Sequence, residues 1–380
     1  MKLDALIFGG GAAGLWLLDD LHRAGHRALL LEANALGAGQ TVASQGIIHG
    51  GAKYTLVGKL TGSAKSIRAM PAIWRECLVG GRAPKLIHTR VRSEHCHLWR
   101  TESLKGRAAM IGAKRGLQVA PVPLPRVEWP APLARCPGSV ARIDEQVIDP
   151  VSFVADLAAQ HCERTLKIDW PDGVSIERDF VVLKEADVKL EPRVIVLTAG
   201  KGNEAIRARA GLFPDAMQTR PLHMVMARGT LPAINGHCVD GAKTRVTITS
   251  ATDAEGRTVW LIGGQVAEDG VEMDRDTLIN HTKRELTDVI PGLDLAGAEW
   301  ATYHVDRAEG ASQGSRPEDV QILREGSFIT AWPTKLALAP QLAARIAEMI
   351  GSPEVGGAET LDGPRPDVAL PPWEEAVQWT

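Results

Sequence analysis

The spacing of hydrophobic residues changes twice near the N-terminus. Residues 3–8 form a short apolar run, residues 15–24 place apolar side chains at helical spacing, and residues 27–31 are again mostly apolar. A strand, a helix and a second strand in this order predict a βαβ unit of a parallel sheet. The continuous apolar run at 194–200 predicts another buried parallel strand.

The rest of the chain alternates between helical and strand-like patterns. Helices are predicted at 58–78, from Asp149-Pro150 onward, at 276–290 and at 340–350, and Pro71 is expected to kink or restart the first. A strand pair is predicted at 84–99, and further strands at 166–190, 222–227, 244–250, 258–262, 320–323 and 327–332. The residues after 350 are expected to be irregular, with Trp373 and Trp379 docking on the body.

Composition narrows the class of protein. A chain of 380 residues is long for one core and favours two domains, or one large domain with an insertion. The formal net charge of -3 gives no reason to expect nucleic acid as a partner. Five scattered cysteines without a C-x-x-C motif favour reduced thiols and a cytoplasmic location. No membrane span is expected, although peripheral membrane association stays open.

A glycine motif lies between the first strand and the first helix. Gly9, Gly11 and Gly14 form the G-x-G-x-x-G pattern around Ala12 and Ala13. These glycines permit a tight turn, close approach of a pyrophosphate and close packing of helix on strand. Glu32 ends the second strand, where a carboxylate can accept hydrogen bonds from ribose hydroxyls. The motif predicts a dinucleotide site; a glycine-rich turn of another α/β domain is the alternative.

Three further segments carry a family resemblance. They are Thr198-Ala199-Gly200, the late stretch 326–340, and the run Ser44-Gln45-Gly46-Ile47-Ile48-His49-Gly50-Gly51-Ala52-Lys53-Tyr54. With the glycine turn, they resemble FAD-dependent oxidoreductases related to D-amino-acid oxidase, glycerol-3-phosphate dehydrogenase and L-2-hydroxyglutarate oxidase. The 44–54 run is similar to the segment that lies beside the flavin ring in the last two enzymes. One departure is Lys53, where the glycerophosphate enzymes have Arg, and no counterpart of their C-terminal helical domain is expected in residues 1–380.

The resemblance implies an α/β fold, α+β overall, with a Rossmann-like FAD-binding domain and an inserted, mixed or antiparallel β-rich substrate domain. Residues 1–80, 139–205 and 318–350 would form the discontinuous FAD-binding domain. Residues 81–138 and 206–317 would form the substrate domain, and 351–380 a C-terminal tail.

The resemblance also implies FAD as the cofactor. NAD is the alternative that the glycine turn alone leaves open, and the Thr198 and Trp332 segments favour FAD. The residues expected to bind FAD are Gly9, Gly11, Ala12, Ala13, Gly14, Glu32, Ala33, Thr41, Ser44, Gln45, Gly46, His49, Thr198, Ala199, Gly200, Trp332, Pro333, Thr334, Lys335 and Leu336.

The reaction expected from this resemblance is oxidation of a small anionic substrate at a C–OH group by hydride transfer to flavin N5. The substrate would be a 2-hydroxy acid or a polyol phosphate, and the electron acceptor would be oxygen, a quinone or a protein. Two alternatives remain: an amino-acid or amine oxidase acting at a C–N bond, and a flavin-carrying electron-transfer subunit.

Six residues are candidates for catalysis. His49 is a candidate base because its ordinary pKa lies near neutrality, but it can equally contact the isoalloxazine or carry the flavin covalently. Lys335 would place positive potential near flavin N1, unless it is simply a solvated lysine.

The other candidates would hold the substrate. Lys53, Arg307 and Arg316 are possible anion anchors, although an ion pair of Arg307 with Asp306 or Glu309 competes with that role. Tyr54 is expected to hydrogen-bond a substrate carboxylate or to be a core residue, and the same alternatives apply to Tyr303.

The His95-Cys96-His97 stretch is the pattern most similar to a metal motif. No further ligand cluster appears at zinc-site spacing, so a structural or surface role is expected and no metal site is predicted.

Overall fold

The computed structural model describes residues 1–51, 67–101, 121–240, 243–312, 317, 319–357, 360–375 and 377–380. The described helices are α1 Ala12–Arg23, α2 Met70–Leu78, α3 Pro150–Gln160, α4 Asn203–Arg209, α5 Gln265–Asp269, α6 Arg275–Val289 and α7 Ala339–Ile350. The described strands are β1 Lys2–Phe8, β2 Ala28–Glu32, β3 Val91–Ser93, β4 Cys96–Trp99, β5 Val122–Pro123, β6 Val140–Ile143, β7 Val147–Ile148, β8 Thr165–Lys167, β9 Val174–Ile176, β10 Val181–Leu183, β11 Val188–Leu197, β12 Met217–Gly229, β13 Gly236–Asp240, β14 Lys243–Thr252, β15 Thr258–Gly263, β16 Glu299–Gly310, β17 Gln321–Glu325 and β18 Phe328–Trp332.

The first sheet contains the predicted βαβ unit. Its strand order is β17-β18-β11-β1-β2-β8, and β10 and β9 extend β11 as an antiparallel ribbon. β1 pairs in parallel with β2 and β11, and Phe8 lies opposite both Leu31 and Leu197. The carboxyl ends of these parallel strands therefore meet at one edge, where ligands bind in open α/β sheets.

Helices cover one face of this sheet with a large apolar core. Trp16 of α1 packs against Trp74 of α2 with ring centroids 4.8 Å apart, and Phe153 of α3 lies 5.0 Å from Trp74. All three rings are almost completely buried. Such aromatic clusters hold the helices on the sheet and fix the turn that precedes α1.

The second sheet is β-rich and mostly antiparallel. Its order is β16-β12-β15-β14-β13-β4-β6-β5, with a parallel pair only between β13 and β4. α6 covers one face, with Leu278, Leu286 and Val289 buried. This arrangement agrees with the inserted β-rich unit that the resemblance implied.

Several local predictions need correction. β3 and β4 do not form a strand pair, because β3 pairs with β7 whereas β4 pairs with β6 and β13. β6 lies in the second sheet, although the expected division puts residues from 139 onward in the FAD-binding part. The long edge strand β16 was missed because its polar positions mask the alternation expected of a strand.

The segment after residue 350 has no helix or long strand, as expected, but it is packed on the body. Three successive backbone N–H groups, of Glu354, Val355 and Gly356, donate to the buried carboxylate of Asp4. Trp373 is buried against β12, β14 and β15. Pro71 lies in the first turn of α2, which begins at Met70, and residues 58–66 of the predicted helix lie outside the described residues. None of the described helices combines the length and apolar character needed to cross a bilayer.

Candidate active site

The glycine turn after β1 is packed so tightly that side chains cannot be added. A Cβ on Gly9, whose φ is +102°, would lie 2.4 Å from the Cα of Ala199, and a Cβ on Gly14 would lie 2.0 Å from the carbonyl oxygen of Gly9. The hydroxyl of Thr41 accepts a hydrogen bond from Ala12 N at 3.1 Å. Because this turn carries no side chains, a phosphate can approach the backbone at the N-terminus of α1.

Glu32 lies beside this turn at the end of β2. Its carboxylate accepts hydrogen bonds from the backbone N–H groups of Gly10 at 2.6 Å and Asn34 at 2.8 Å. These bonds fix the carboxylate at the rim of the cleft, where ribose hydroxyls can donate to its remaining lone pairs.

A cleft of about 1080 Å³ runs from the glycine turn to the second sheet. All the residues expected to bind FAD line it except Gly14, which is instead the close-packing glycine under the turn. Of the six catalytic candidates, His49, Arg307 and Lys335 line the cleft. Lys53, Tyr54 and Arg316 lie outside the described residues.

The late segment contributes unusual groups to the cleft. Thr334 has a φ of +60°, a conformation that is costly for a β-branched residue and is found mostly at functional sites. Trp332 Nε1 and Thr334 Oγ1 are buried without a hydrogen-bond partner in the part of the chain that the structure describes. Lys335 is only 8% exposed. This wall therefore has polar atoms that a bound cofactor can satisfy.

His49 is held by a carboxylate that the sequence did not reveal. Its Nδ1 lies 3.0 Å from Oε2 of Glu145, and Oε1 of Glu145 accepts the Gly50 N–H at 2.9 Å. His237 stands on the other side, with its Nε2 3.7 Å from the same Oε2 and its Nδ1 2.8 Å from Thr247 Oγ1. Both Glu145 and His237 are completely buried.

The histidines determine the charge state of Glu145. Burial raises the pKa of the Glu145 carboxyl, but the charge of His49, the nearby His237 and the hydrogen bond from His49 outweigh it, and the pKa lies well below its usual range. Glu145 is therefore a buried carboxylate in contact with Nδ1 of His49. Sequence reasoning missed it because Glu145 lies between two short strands, outside any motif.

Two residues with open alternatives, Arg307 and Tyr303, lie on β16 and line the cleft. The ion pair of Arg307 is with Glu268 of α5, at 3.1 Å, whereas Asp306 pairs with Lys201 and Glu309 with Arg220. Arg307 thus combines a cleft position with an ion pair that sequence reasoning had not expected.

The hydroxyl of Tyr303 donates to Ala43 O at 2.9 Å. Burial raises the pKa of Tyr303. Its hydroxyl is therefore engaged with the backbone, which favours the core role over substrate binding.

The described residues fit an FAD. They provide a turn without side chains at the N-terminus of α1, a carboxylate at the end of β2, and a long cleft in which Trp332 Nε1 and Thr334 Oγ1 have no hydrogen-bond partner among the described residues. Residues 4–331 match the family described as FAD dependent oxidoreductase, DAO. The chain belongs to this family. It is an FAD-dependent oxidoreductase, and FAD is its cofactor; the NAD alternative is thereby wrong.

Similar proteins agree on the cofactor class. A probable FAD-dependent oxidoreductase of Pseudomonas aeruginosa is 38% identical over 385 residues, which cover 99% of this chain and 98% of the relative. The crystal structure of the FAD dependent oxidoreductase from that organism superposes with a TM-score of 0.83 at 35% identity, covering 99% and 98% of the two chains.

More distant structures share the fold. Glycine oxidase from Geobacillus kaustophilus has a TM-score of 0.67 at 15% identity, over 94% of this chain and 96% of its own. L-alpha-glycerophosphate oxidase from Mycoplasma pneumoniae, solved with FAD bound, has a TM-score of 0.67 at 14% identity, over 95% and 99%. One name refers to an amine and the other to an alcohol, so the fold accommodates both bond types.

Proposed function

We propose that this flavoenzyme oxidises a small anionic substrate at a C–OH group, a 2-hydroxy acid or a polyol phosphate, with His49 as the general base. The observation that carries the proposal is the placement of His49 in the cleft with its Nδ1 3.0 Å from the buried Glu145. Oxidation of an alcohol requires removal of the hydroxyl proton, whereas a neutral amine needs no such base.

Glu145 prepares His49 for this task. An ionised carboxylate at Nδ1 holds the ring proton on that nitrogen, so that Nε2 carries the lone pair. It also stabilises the imidazolium that forms when Nε2 accepts the substrate proton. FAD, when bound, supplies the two-electron acceptor for the hydride. In this proposal the residues around the glycine turn hold the cofactor, and the second sheet provides the opposite wall.

Arg307 is the proposed anchor for the anionic group among the described residues. It lines the cleft on β16, and its partner Glu268 is 45% exposed, so a substrate carboxylate or phosphate can compete for the guanidinium. Lys335, almost buried in the opposite wall, adds positive potential to the same cleft. Lys53, Tyr54 and Arg316 remain predicted contributors.

The test is anaerobic reduction of the purified FAD-loaded protein by a panel of 2-hydroxy acids, polyol phosphates and amino acids. We expect the flavin absorbance near ~450 nm to bleach with a member of the first two classes. Bleaching by amino acids alone would overturn the proposal in favour of oxidation at C–N. No bleaching by any class would favour an electron-transfer subunit.

A matched pair of histidine variants tests the base. Replacing His49→Asn is expected to slow bleaching by about 10²–10⁴-fold, the usual worth of a positioned base. His304→Asn changes another histidine that lines the cleft and is expected to leave the rate within a few-fold. Equal effects of the two substitutions would contradict the role of His49.

A further inference from the structure

Three side chains behind the cleft have the composition of a metal-binding site. One ligand atom each from His49, Glu145 and His237 lies within 4.8 Å of the other two. Glu145 and His237 are fully buried, and the side chain of His49 is 16% exposed on the cleft side. Among the described residues, no other group of His, Cys, Asp or Glu converges in this way.

Two of the three distances between ligand atoms are close to those around a tetrahedral ion. His49 Nδ1 and His237 Nε2 lie 3.0 and 3.7 Å from Oε2 of Glu145. Two ligands of a tetrahedral zinc with bonds of ~2.0–2.1 Å are about 3.4 Å apart. Shifts of a few tenths of an ångström would therefore bring both carboxylate–imidazole pairs to this separation, and the two imidazole nitrogens lie within 4.8 Å of each other.

A second layer of hydrogen bonds orients the ligands. The Gly50 N–H holds Oε1 of Glu145 at 2.9 Å and turns Oε2 towards the histidines. Thr247 Oγ1, 2.8 Å from Nδ1 of His237, selects Nε2 of that ring as the nitrogen that faces Glu145. Outer partners of this kind are typical of metal-ligating histidines and carboxylates.

We propose that His49, Glu145 and His237 bind a zinc-class divalent ion, and that the bound ion inhibits the enzyme. Two imidazoles and one carboxylate suit this borderline metal and leave a coordination position for water from the cleft. Metal at Nδ1 of His49 moves the single ring proton to Nε2. His49 can then no longer accept a proton from substrate. Binding stands independently, whereas inhibition rests on the proposed function of His49.

Isothermal titration of the FAD-loaded, chelator-treated protein with zinc chloride tests the binding. We expect one zinc ion per chain in the wild type and at least a ~tenfold weaker affinity after His237→Gln. His95→Gln, which alters a histidine of a different close histidine pair, should bind as the wild type does. Absence of zinc binding, or equal affinity in His237→Gln, would overturn the site.

Wild-type protein provides a test that does not depend on a buried substitution folding. X-ray absorption of the zinc-loaded protein should show only nitrogen and oxygen neighbours, with the scattering of two imidazoles. Sulfur ligation or a shell without imidazole would overturn the proposal. FAD content and circular dichroism confirm that His237→Gln is folded before its affinity is interpreted.

The rate of flavin reduction tests the inhibition. Zinc should slow reduction of the wild type by at least ~tenfold and EDTA should restore it, whereas His237→Gln should require correspondingly more zinc. Zinc that binds without slowing reduction would overturn the inhibitory role. A protein that binds zinc but oxidises no alcohol would instead refute the proposed function and leave the metal site standing.

Discussion

At the scale of single residues, Glu145 joins the cleft histidine to the protein interior. A buried carboxylate is costly unless it is hydrogen-bonded and faces positive charge, and Glu145 has the Gly50 N–H and two histidines. At the same scale, the hydroxyl of Tyr303 donates to the Ala43 carbonyl, which is the contact expected of a core residue.

Glu145→Gln tests the contribution of this charge. The amide keeps the shape but loses the carboxylate that orients His49, and we expect the rate of anaerobic flavin reduction to fall about 10²-fold. Rapid-scan absorbance with a bleaching substrate measures the rate. Glu309→Gln, at a buried carboxylate paired with Arg220 on β12, is the control and should retain most activity. An unchanged rate in Glu145→Gln would contradict the orienting role.

At the scale of elements, β1, the glycine turn and α1 pack so closely that there is no room for a side chain at Gly14. Alanine is favoured over glycine by about 1 kcal/mol inside a helix, which would predict that Gly14→Ala stabilises α1. The added Cβ would instead lie 2.0 Å from the carbonyl oxygen of Gly9, closer than real atoms approach.

We therefore expect Gly14→Ala to purify with strongly reduced FAD content, because α1 must move away from the turn that is predicted to bind the phosphates. Flavin absorbance relative to protein absorbance measures this. Gly81→Ala is the control, since a Cβ there would come no closer than 3.6 Å to its neighbours. Full FAD content in Gly14→Ala would show that the helix can shift without loss of the site.

Strand β4 makes stability depend on pH through His97. Burial and then the charge of His95 lower the pKa of His97 from 6.5 to about 4. Between pH 6.5 and about 4, His97 is therefore protonated in the unfolded chain but neutral in the folded protein. The free energy of unfolding consequently falls as the pH drops through this range. Urea unfolding measures this. Over the same pH range, the free energy of unfolding of His97→Gln should fall by about 1–2 kcal/mol less than that of the wild type, because solvent screens a partly exposed ring and reduces the effect of the full pKa shift. Parallel profiles would contradict this.

At the scale of the whole molecule, the C-terminal segment ties the two sheets together. Asp4 of the first sheet accepts three N–H groups from 354–356, and Ala369 N donates to Leu36 O. Further on, Trp373 is buried against the second sheet, and Pro372 and Glu375 line the cleft. The C-terminal segment thus contacts both sheets and also forms part of the cleft wall.

Removing the buried ring of this tail should loosen the second sheet. We expect Trp373→Ala to cost about 3 kcal/mol in the free energy of unfolding, as a large buried aromatic usually does. Trp379→Ala, at a partly exposed ring stacked on Arg228, should cost clearly less. Denaturant unfolding of both variants gives the comparison. Equal costs would contradict the anchoring role of Trp373.

Much of the fold was predictable because its elements depend on local patterns. The βαβ unit, the helix that begins at Asp149-Pro150 and the buried strand β11 follow from apolar periodicity and capping, which act within a few residues. The pairing partners of the strands were harder to predict from the sequence. β3 and β4 are neighbours in the chain yet pair with different strands, because sheet partners depend on packing between distant segments.

The family, the cofactor and the cleft-lining residues around the glycine turn could be predicted from the sequence, because a glycine turn and the segments after the parallel strands are short and chemically constrained. Only the tertiary structure decided the surroundings of His49. Glu145 and His237 lie far from His49 in the chain and belong to no motif, and they meet because β13 and the segment between β6 and β7 converge behind the cleft. Charges and hydrogen bonds act through space, so such a group becomes visible only when the chain is folded.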